Sequence, residues 1–119
     1  MLGGHLITGK CGEELAAEYL EKRGYILLGK NVQTGRGEVD LVMQRKGIII
    51  FVEVKTRTRK DEFSPSQRVD HLKIQRLSRA AEAWLQRKYE RGAPEMRAQI
   101  DVIGIAADEV VEHYEDVTA

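Results

Sequence analysis

What this chain lacks narrows its class at once. Cys11 is the single cysteine among 119 residues, so no internal disulfide can form and a reducing compartment is favoured. No apolar run approaches the roughly 20 residues that span a bilayer. Residues 1–12 also lack the apolar core of a signal peptide. We therefore expect a cytoplasmic protein that does not associate with membranes.

An excess of one charge sign is also missing, since 19 basic residues balance 19 acidic ones. The distribution is nevertheless uneven. Residues 41–60 carry six basic residues and one acidic residue, whereas residues 92–119 carry one basic and seven acidic residues. A basic segment can follow the phosphates of a nucleic acid, although a solvated surface explains it equally well.

The length and composition indicate one globular domain over residues 1–119. Its expected core covers residues 9–106, and residues 107–119 form an acidic tail. The hydrophobic pattern predicts helix, three strands, helix, strand, and therefore an α/β sandwich around a mixed sheet. The predicted elements are a helix over Gly9–Arg23, strands over Tyr25–Val32, 38–44 and 48–56, a helix over Ser66–Arg91, a strand over Ile100–Ala106, and a short edge strand at Val110–Val111.

Two acidic residues and a lysine lie on neighbouring predicted strands. Side chains alternate along a strand, so Glu53 and Lys55 share one face of the third strand, and Glu38 and Asp40 share one face of the second. If the two strands form a hairpin, Asp40, Glu53 and Lys55 converge. Burying such charges is costly unless they pair or bind a metal. The pattern predicts a hard-metal site with a lysine beside it, or a structural ion-pair network.

Helical projection singles out two more charged residues. Glu13 lies at the edge of the apolar stripe of the first helix, and Lys73 lies in the middle of the apolar face of the second, which includes Leu72 and Leu77. A lysine in that position requires an anionic partner or must extend its ammonium group to water. The histidines, His113 among them, show no metal-ligand spacing and are expected at the surface, while Asp101 is expected to pair locally.

These segments together resemble the PD-(D/E)XK nuclease superfamily, and within it the YraN-like family of bacterial proteins. The matching segments are Gly12-Glu13-Glu14-Leu15-Ala16-Ala17-Glu18-Tyr19-Leu20, Gly24-Tyr25-Ile26-Leu27-Leu28, Gly37-Glu38-Val39-Asp40-Leu41-Val42, Phe51-Val52-Glu53-Val54-Lys55-Thr56-Arg57, Val69 with Lys73, and Ile100-Asp101-Val102-Ile103. The resemblance implies a restriction endonuclease-like core of order α-β-β-β-α-β. Val39 stands where the superfamily's name has a proline.

The resemblance also implies a metal site. Asp40 and Glu53 would bind a divalent cation with help from the carbonyl of Val54, and Glu13 would complete the site through a water or a second metal. Mg²⁺ is the expected ion, with Mn²⁺ as an alternative, because the ligands are all oxygen and the substrate carries phosphate.

Further residues would act on the substrate. The resemblance implies that Lys55 positions or activates the attacking water and that Lys73 contacts a phosphate or the carboxylates. Neighbouring anions should keep Lys55 protonated. Arg36, Arg57 and Arg59 are candidate contacts to the nucleic-acid backbone.

The function implied is hydrolysis of phosphodiester bonds by a metal-dependent endonuclease, acting on DNA rather than RNA. A junction-resolving enzyme of this kind would work as a homodimer. Two alternatives are a nucleic-acid-binding module on the same fold with little or no catalytic activity, and a protein-interaction adaptor.

Overall fold

A computed structural model describes residues 10–57, 70–89 and 97–118. Within these residues the chain forms two helices and five strands. They are α1 (Gly12–Glu21), β1 (Ile26–Thr34), β2 (Gly37–Arg45), β3 (Ile48–Arg57), α2 (His71–Lys88), β4 (Arg97–Ala106) and β5 (Glu109–Tyr114). The predicted α/β class and element order are confirmed, and β5 includes the expected edge strand within the acidic tail.

The five strands form one mixed sheet in the order β1-β2-β3-β4-β5. Neighbouring strands are antiparallel except for β3 and β4, which run parallel from the pair Ile48–Arg97 to the pair Arg57–Ala106. Parallel neighbours need a crossover connection, and α2 lies in it. The strand β4 is buried from Ile100 to Ala106, as its continuous apolar sequence predicts.

The helices cover opposite faces of the sheet. Alternation along β3 sends Ile50 and Val52 to the α1 side and Ile49 and Phe51 to the α2 side. The buried α1-side cluster contains Ala16, Ala17, Leu20, Tyr25, Leu41, Met43, Ile50, Val52, Ile103 and Ile105. The buried α2-side cluster contains Val39, Val42, Ile49, Phe51, Leu77, Ala80, Ala81 and Ile100. Glu53 and Lys55 continue the alternation of Phe51 and so belong to the α2 side.

Local signals fix the ends of several elements. Gly24 follows α1 with a φ of 90°, a conformation that ends helices and favours glycine. Lys46 and Gly47 both have positive φ, at 49° and 77°, which suits the two-residue turn of a β2–β3 hairpin. The predicted hairpin is therefore confirmed.

The start of the second helix differs from the prediction. It begins at His71, five residues after the expected Ser66, because the carboxylate of Asp70 accepts hydrogen bonds from the backbone N–H groups of Leu72 and Lys73 and caps the helix. The prediction that Leu72 is buried is wrong: it lies in the first turn and is 66% exposed. The predicted helix start at Ser64–Ser66 and stop at Gly92–Pro94 lie outside the described residues.

Neither helix in the described part of the chain combines the length and the apolar content needed to cross a membrane.

Candidate functional site

The site forms where β2 and β3 stop pairing. Their register ends at the pair Leu41–Val52, although both strands continue beyond it. In the next position, Oδ2 of Asp40 accepts a hydrogen bond of 2.8 Å from the backbone N–H of Val54. A carboxylate thus takes the place of the carbonyl that would have continued the ladder. This opening brings the side chain of Asp40 beside β3.

Glu53 is a buried carboxylate with charged neighbours on two sides. Only 7% of the residue is exposed, and its Oε2 lies 3.3 Å from Nζ of Lys73 on α2. Burial, a hydrogen bond with Asp40 and charge repulsion from Asp40 together raise the pKa of Glu53 to about 7, against the opposing effect of Lys73. Lys73 thus has an anionic partner and is also 49% exposed to water, so both predicted alternatives are met.

Lys55 lies beside this pair and corrects one expectation. Burial lowers the pKa of Lys55, and the positive charges of Lys73 and Arg57 lower it further, although Glu53 and Asp70 act in the opposite direction. The expectation that neighbouring anions favour the charged form of Lys55 holds for Glu53 and Asp70, but burial and Lys73 outweigh them. That expectation considered only the carboxylates. It did not include burial or the charge of Lys73, which lies on a helix distant in sequence.

The start of α2 completes the inner part of the site. Glu53, Lys55, Asp70 and Lys73 line one small pocket, closed below by apolar side chains. Asp70 has two effects there: it caps the helix that carries Lys73, and its negative charge raises the pKa of Lys55. Asp70 is not among the predicted site residues, although an aspartate just before an apolar-periodic segment is a recognised helix-start signal.

An open cleft of about 300 Å³ leads outward from these residues. Its lining combines three acidic side chains with three basic ones, namely Glu38, Asp40, Glu53, Arg36, Lys73 and Arg76. Arg36 was predicted as a phosphate contact and lies in the cleft. Arg76 was missed, because an exposed arginine on an amphipathic helix carries no signal in the sequence.

Glu13 has a different position from the other predicted ligands. It is half-buried in the first turn of α1, next to Gly12, which packs against the side chains of Val54 and Thr56 on β3. Three acidic, histidine or cysteine residues could hold a metal ion if their ligand atoms all lay within 4.8 Å of one another. Among the described residues, Asp40, Glu53 and Glu13 do not meet this condition together. The structure thus brings Asp40 and Glu53 together and leaves Glu13 outside that set.

Of the two remaining predicted arginines, Arg57 is described and does not line the cleft. Arg57 is at the end of β3, where its Nη1 donates to the carbonyl of Thr56 at 2.9 Å. Arg59 lies outside the described residues.

Comparison with known proteins identifies the family. The model of the "Uncharacterised protein family UPF0102" matches residues 12–105. The chain belongs to the UPF0102 family. The matched segment contains every predicted site residue from Glu13 to Lys73, and the predicted membership of the YraN-like family is confirmed.

Three UPF0102 proteins illustrate the similarity. The protein of Fervidobacterium nodosum is 42% identical over 108 residues, which cover 91% of this chain and 79% of the relative. That of Flavobacterium johnsoniae is 38% identical over 101 residues, covering 85% of this chain and 82% of the relative. That of Cytophaga hutchinsonii is 32% identical over 114 residues, covering 96% and 97%.

A second polar group in this UPF0102 protein lies on the α1 side of the sheet. Asp101 is fully buried and accepts hydrogen bonds from the side chains of Gln99 and His113 and from the backbone N–H of Asp116. The expectation that Asp101 pairs locally is confirmed, whereas the expected surface position of His113 is wrong. Pairing of β4 with β5 carries His113 inward, where its Nδ1 lies 3.4 Å from the hydroxyl of Tyr19.

Proposed function

We propose that this UPF0102 protein is a divalent-metal-dependent endonuclease that hydrolyses phosphodiester bonds, in DNA rather than RNA. The observation that carries the proposal is the convergence of Asp40, Glu53, Lys55 and Lys73 where β2 and β3 separate. Two carboxylates and two lysines at the mouth of an open cleft provide ligands for a hard cation and positive charge for a phosphate.

The carboxylates suit Mg²⁺. They interact closely enough for Asp40 to raise the pKa of Glu53, and a divalent cation between them would relieve that repulsion. Mg²⁺ keeps several waters and commonly takes only one or two protein carboxylates together with substrate phosphate. Asp40 and Glu53 would therefore suffice as side-chain ligands, with the Val54 carbonyl as a third donor and Mn²⁺ as a substitute ion. Glu13 would act through a water.

When bound, such a cation polarises the phosphoryl oxygen as a Lewis acid. The chain's own residues supply the rest. Lys55 lines the pocket with Glu53 and Lys73 and is placed to orient the attacking water. Lys73 holds the Glu53 carboxylate in place and offers its remaining N–H donors to a phosphate oxygen.

The topology agrees with the proposal. A mixed sheet with α1 on one face and α2 in the crossover from β3 to β4 has the order α-β-β-β-α-β that a restriction endonuclease-like core requires. We include that fold in the proposal. A homodimer would place two such sites on the two strands of a duplex.

One observation favours a second candidate, a nucleic-acid-binding module without catalytic activity. The ion pair between Glu53 and Lys73 satisfies both charges without a metal, as a structural network would. On this alternative the cleft binds nucleic acid and Mg²⁺ has no effect.

A cleavage assay separates the two candidates. Labelled single-stranded, duplex and branched DNA and a matched RNA are incubated with the protein in Mg²⁺, in Mn²⁺ and in excess EDTA. We expect metal-dependent cleavage that falls more than about 100-fold in Asp40→Asn and in Lys55→Ala.

The matched control is Glu38→Gln, which removes a negative charge from the same strand and the same cleft. It should retain cleavage, because Glu38 forms no ion pair with Lys73 and no hydrogen bond to Glu53 in the described structure. Cleavage that survives Asp40→Asn, or that is absent with all four substrates, would reject the endonuclease. Metal-independent binding without cleavage would support the second candidate.

A further inference from the structure

The outer end of the cleft is built from two segments that lie far apart in sequence. The turn between β1 and β2 carries Arg36, and the hydroxyl of Thr34 fixes it by accepting from the Arg36 backbone N–H at 3.2 Å and donating to the Gly37 carbonyl at 2.9 Å. Gly37 has a φ of 143°, which favours glycine, and a methyl group built on it would lie 3.6 Å from Cβ of Ala80. The turn therefore rests directly on α2.

The helix supplies the second arginine. Lys73 and Arg76 are three residues apart, so they lie on one face of α2, and Leu77 beside them is buried against the sheet. Both basic side chains line the same cleft as Arg36. The cleft wall thus contains Lys73, which pairs with Glu53, and two arginines.

The three basic residues differ in whether they have an ion-pair partner. Lys73 pairs with Glu53, whereas neither Arg36 nor Arg76 has an ion-pair partner in the described part of the chain. Glu38 lines the same cleft and forms no ion pair with either of them. Within the described residues, two guanidinium groups thus remain available to an anion from outside. A guanidinium presents paired donors that match the oxygens of a phosphate.

We propose that Arg36 and Arg76 form a phosphate-binding pair that holds a backbone phosphate next to the one at the Asp40–Glu53 site. This rests on the proposed function, because it takes a nucleic-acid backbone as the ligand. Phosphate contacts of this kind fix the register of a substrate without reading its sequence. The pair would place the scissile phosphodiester against the carboxylates, and neither arginine would touch the reacting atoms.

The test measures binding apart from catalysis. Affinity of the full-length protein for fluorescein-labelled DNA, single-stranded and duplex, is measured by anisotropy in EDTA over a series of salt concentrations. Arg36→Gln and Arg76→Gln should each weaken binding about tenfold at low salt and reduce the slope of log K against log salt by about 1. The double variant should reduce the slope by about 2.

Arg79→Gln is the matched control, since it removes the same charge from an exposed position on the same helix outside the cleft. It should leave the slope unchanged. Arg76→Lys should keep most of the slope and lose part of the affinity, because a lysine retains the charge and loses the paired donors.

Each result decides between the two proposals. Equal effects of Arg36→Gln, Arg76→Gln and Arg79→Gln would overturn the phosphate-binding pair and leave the endonuclease proposal standing. Absence of DNA binding by the wild type would overturn both. The predicted pattern of slopes, without cleavage in Mg²⁺, would support the pair and reject the endonuclease.

Discussion

The buried Glu53 carboxylate should make the protein less stable as the pH rises. Its pKa is about 7 in the folded state against 4.5 in an exposed chain. Below the lower value Glu53 is protonated in both states and contributes nothing to the pH dependence. Between the two values the unfolded chain loses the proton that the folded protein keeps, so the free energy of unfolding falls as pH rises and stays reduced above about pH 7.

The size of this effect follows from the shift. At about 1.4 kcal/mol per pKa unit, the change from 4.5 to about 7 sets an upper limit of about 3 kcal/mol. The carboxylate borders an open cleft, where water screens the repulsion, so we expect about 1 to 2 kcal/mol.

Urea denaturation of the metal-free protein from pH 5 to pH 8 measures this loss of stability. Glu53→Gln replaces the carboxylate with a neutral group of similar shape. The free energy of unfolding of this variant, relative to that of the wild type, should therefore increase by about 1 to 2 kcal/mol as pH rises from 5 to 8. Glu38 is exposed, so the plot of unfolding free energy against pH for Glu38→Gln should run parallel to that of the wild type. This comparison also controls for histidines that titrate in this range. Mg²⁺ should restore stability to the wild type at pH 8 and not to Glu53→Gln. Parallel curves for the wild type and Glu53→Gln would refute the reasoning.

Three further predictions concern the surroundings of the site. Lys73→Met removes the charge that lowers the pKa of Glu53, so that pKa should rise above about 7 in a carboxyl ¹³C NMR titration; an unchanged value would contradict the ion pair. Asp70→Ala removes the cap of α2 and should cost about 1 kcal/mol in urea denaturation, whereas Glu82→Ala on the exposed face of the same helix should cost far less. Asp101→Ala leaves buried donors unpaired and should cost about 2 to 3 kcal/mol; a cost like that of an exposed aspartate such as Asp108 would contradict the network.

The sequence was sufficient for the features that depend on periodicity. Alternation along β3 placed Glu53 and Lys55 on the face opposite Ile50 and Val52, and the hairpin followed from the turn at Lys46–Gly47. Helical projection also indicated that Lys73 needs an anionic partner or must extend to water, and Lys73 pairs with Glu53.

Features that depend on contacts between distant segments were beyond the sequence. The lowered pKa of Lys55 depends on burial and then on Lys73, which the crossover brings alongside β3. The Asp101–His113 pair forms because β4 and β5 are neighbours, although a lone aspartate in an apolar strand was a signal that a partner had to exist. Arg76 lines the cleft because the β1–β2 turn packs on α2, and no pattern in the sequence predicts that contact.

The central claim is that Asp40 and Glu53 form a divalent-metal site, and Mn²⁺ titration of ¹⁵N-labelled protein by NMR tests it most directly. The paramagnetic ion should broaden the amide signals of Asp40, Glu53 and Val54 first, and Asp40→Ala should abolish that effect while leaving the remaining spectrum intact. Asp101, His113 and Glu115 also have ligand atoms that lie within 4.8 Å of one another. Broadening centred on these three residues, or unchanged by Asp40→Ala, would contradict the claim.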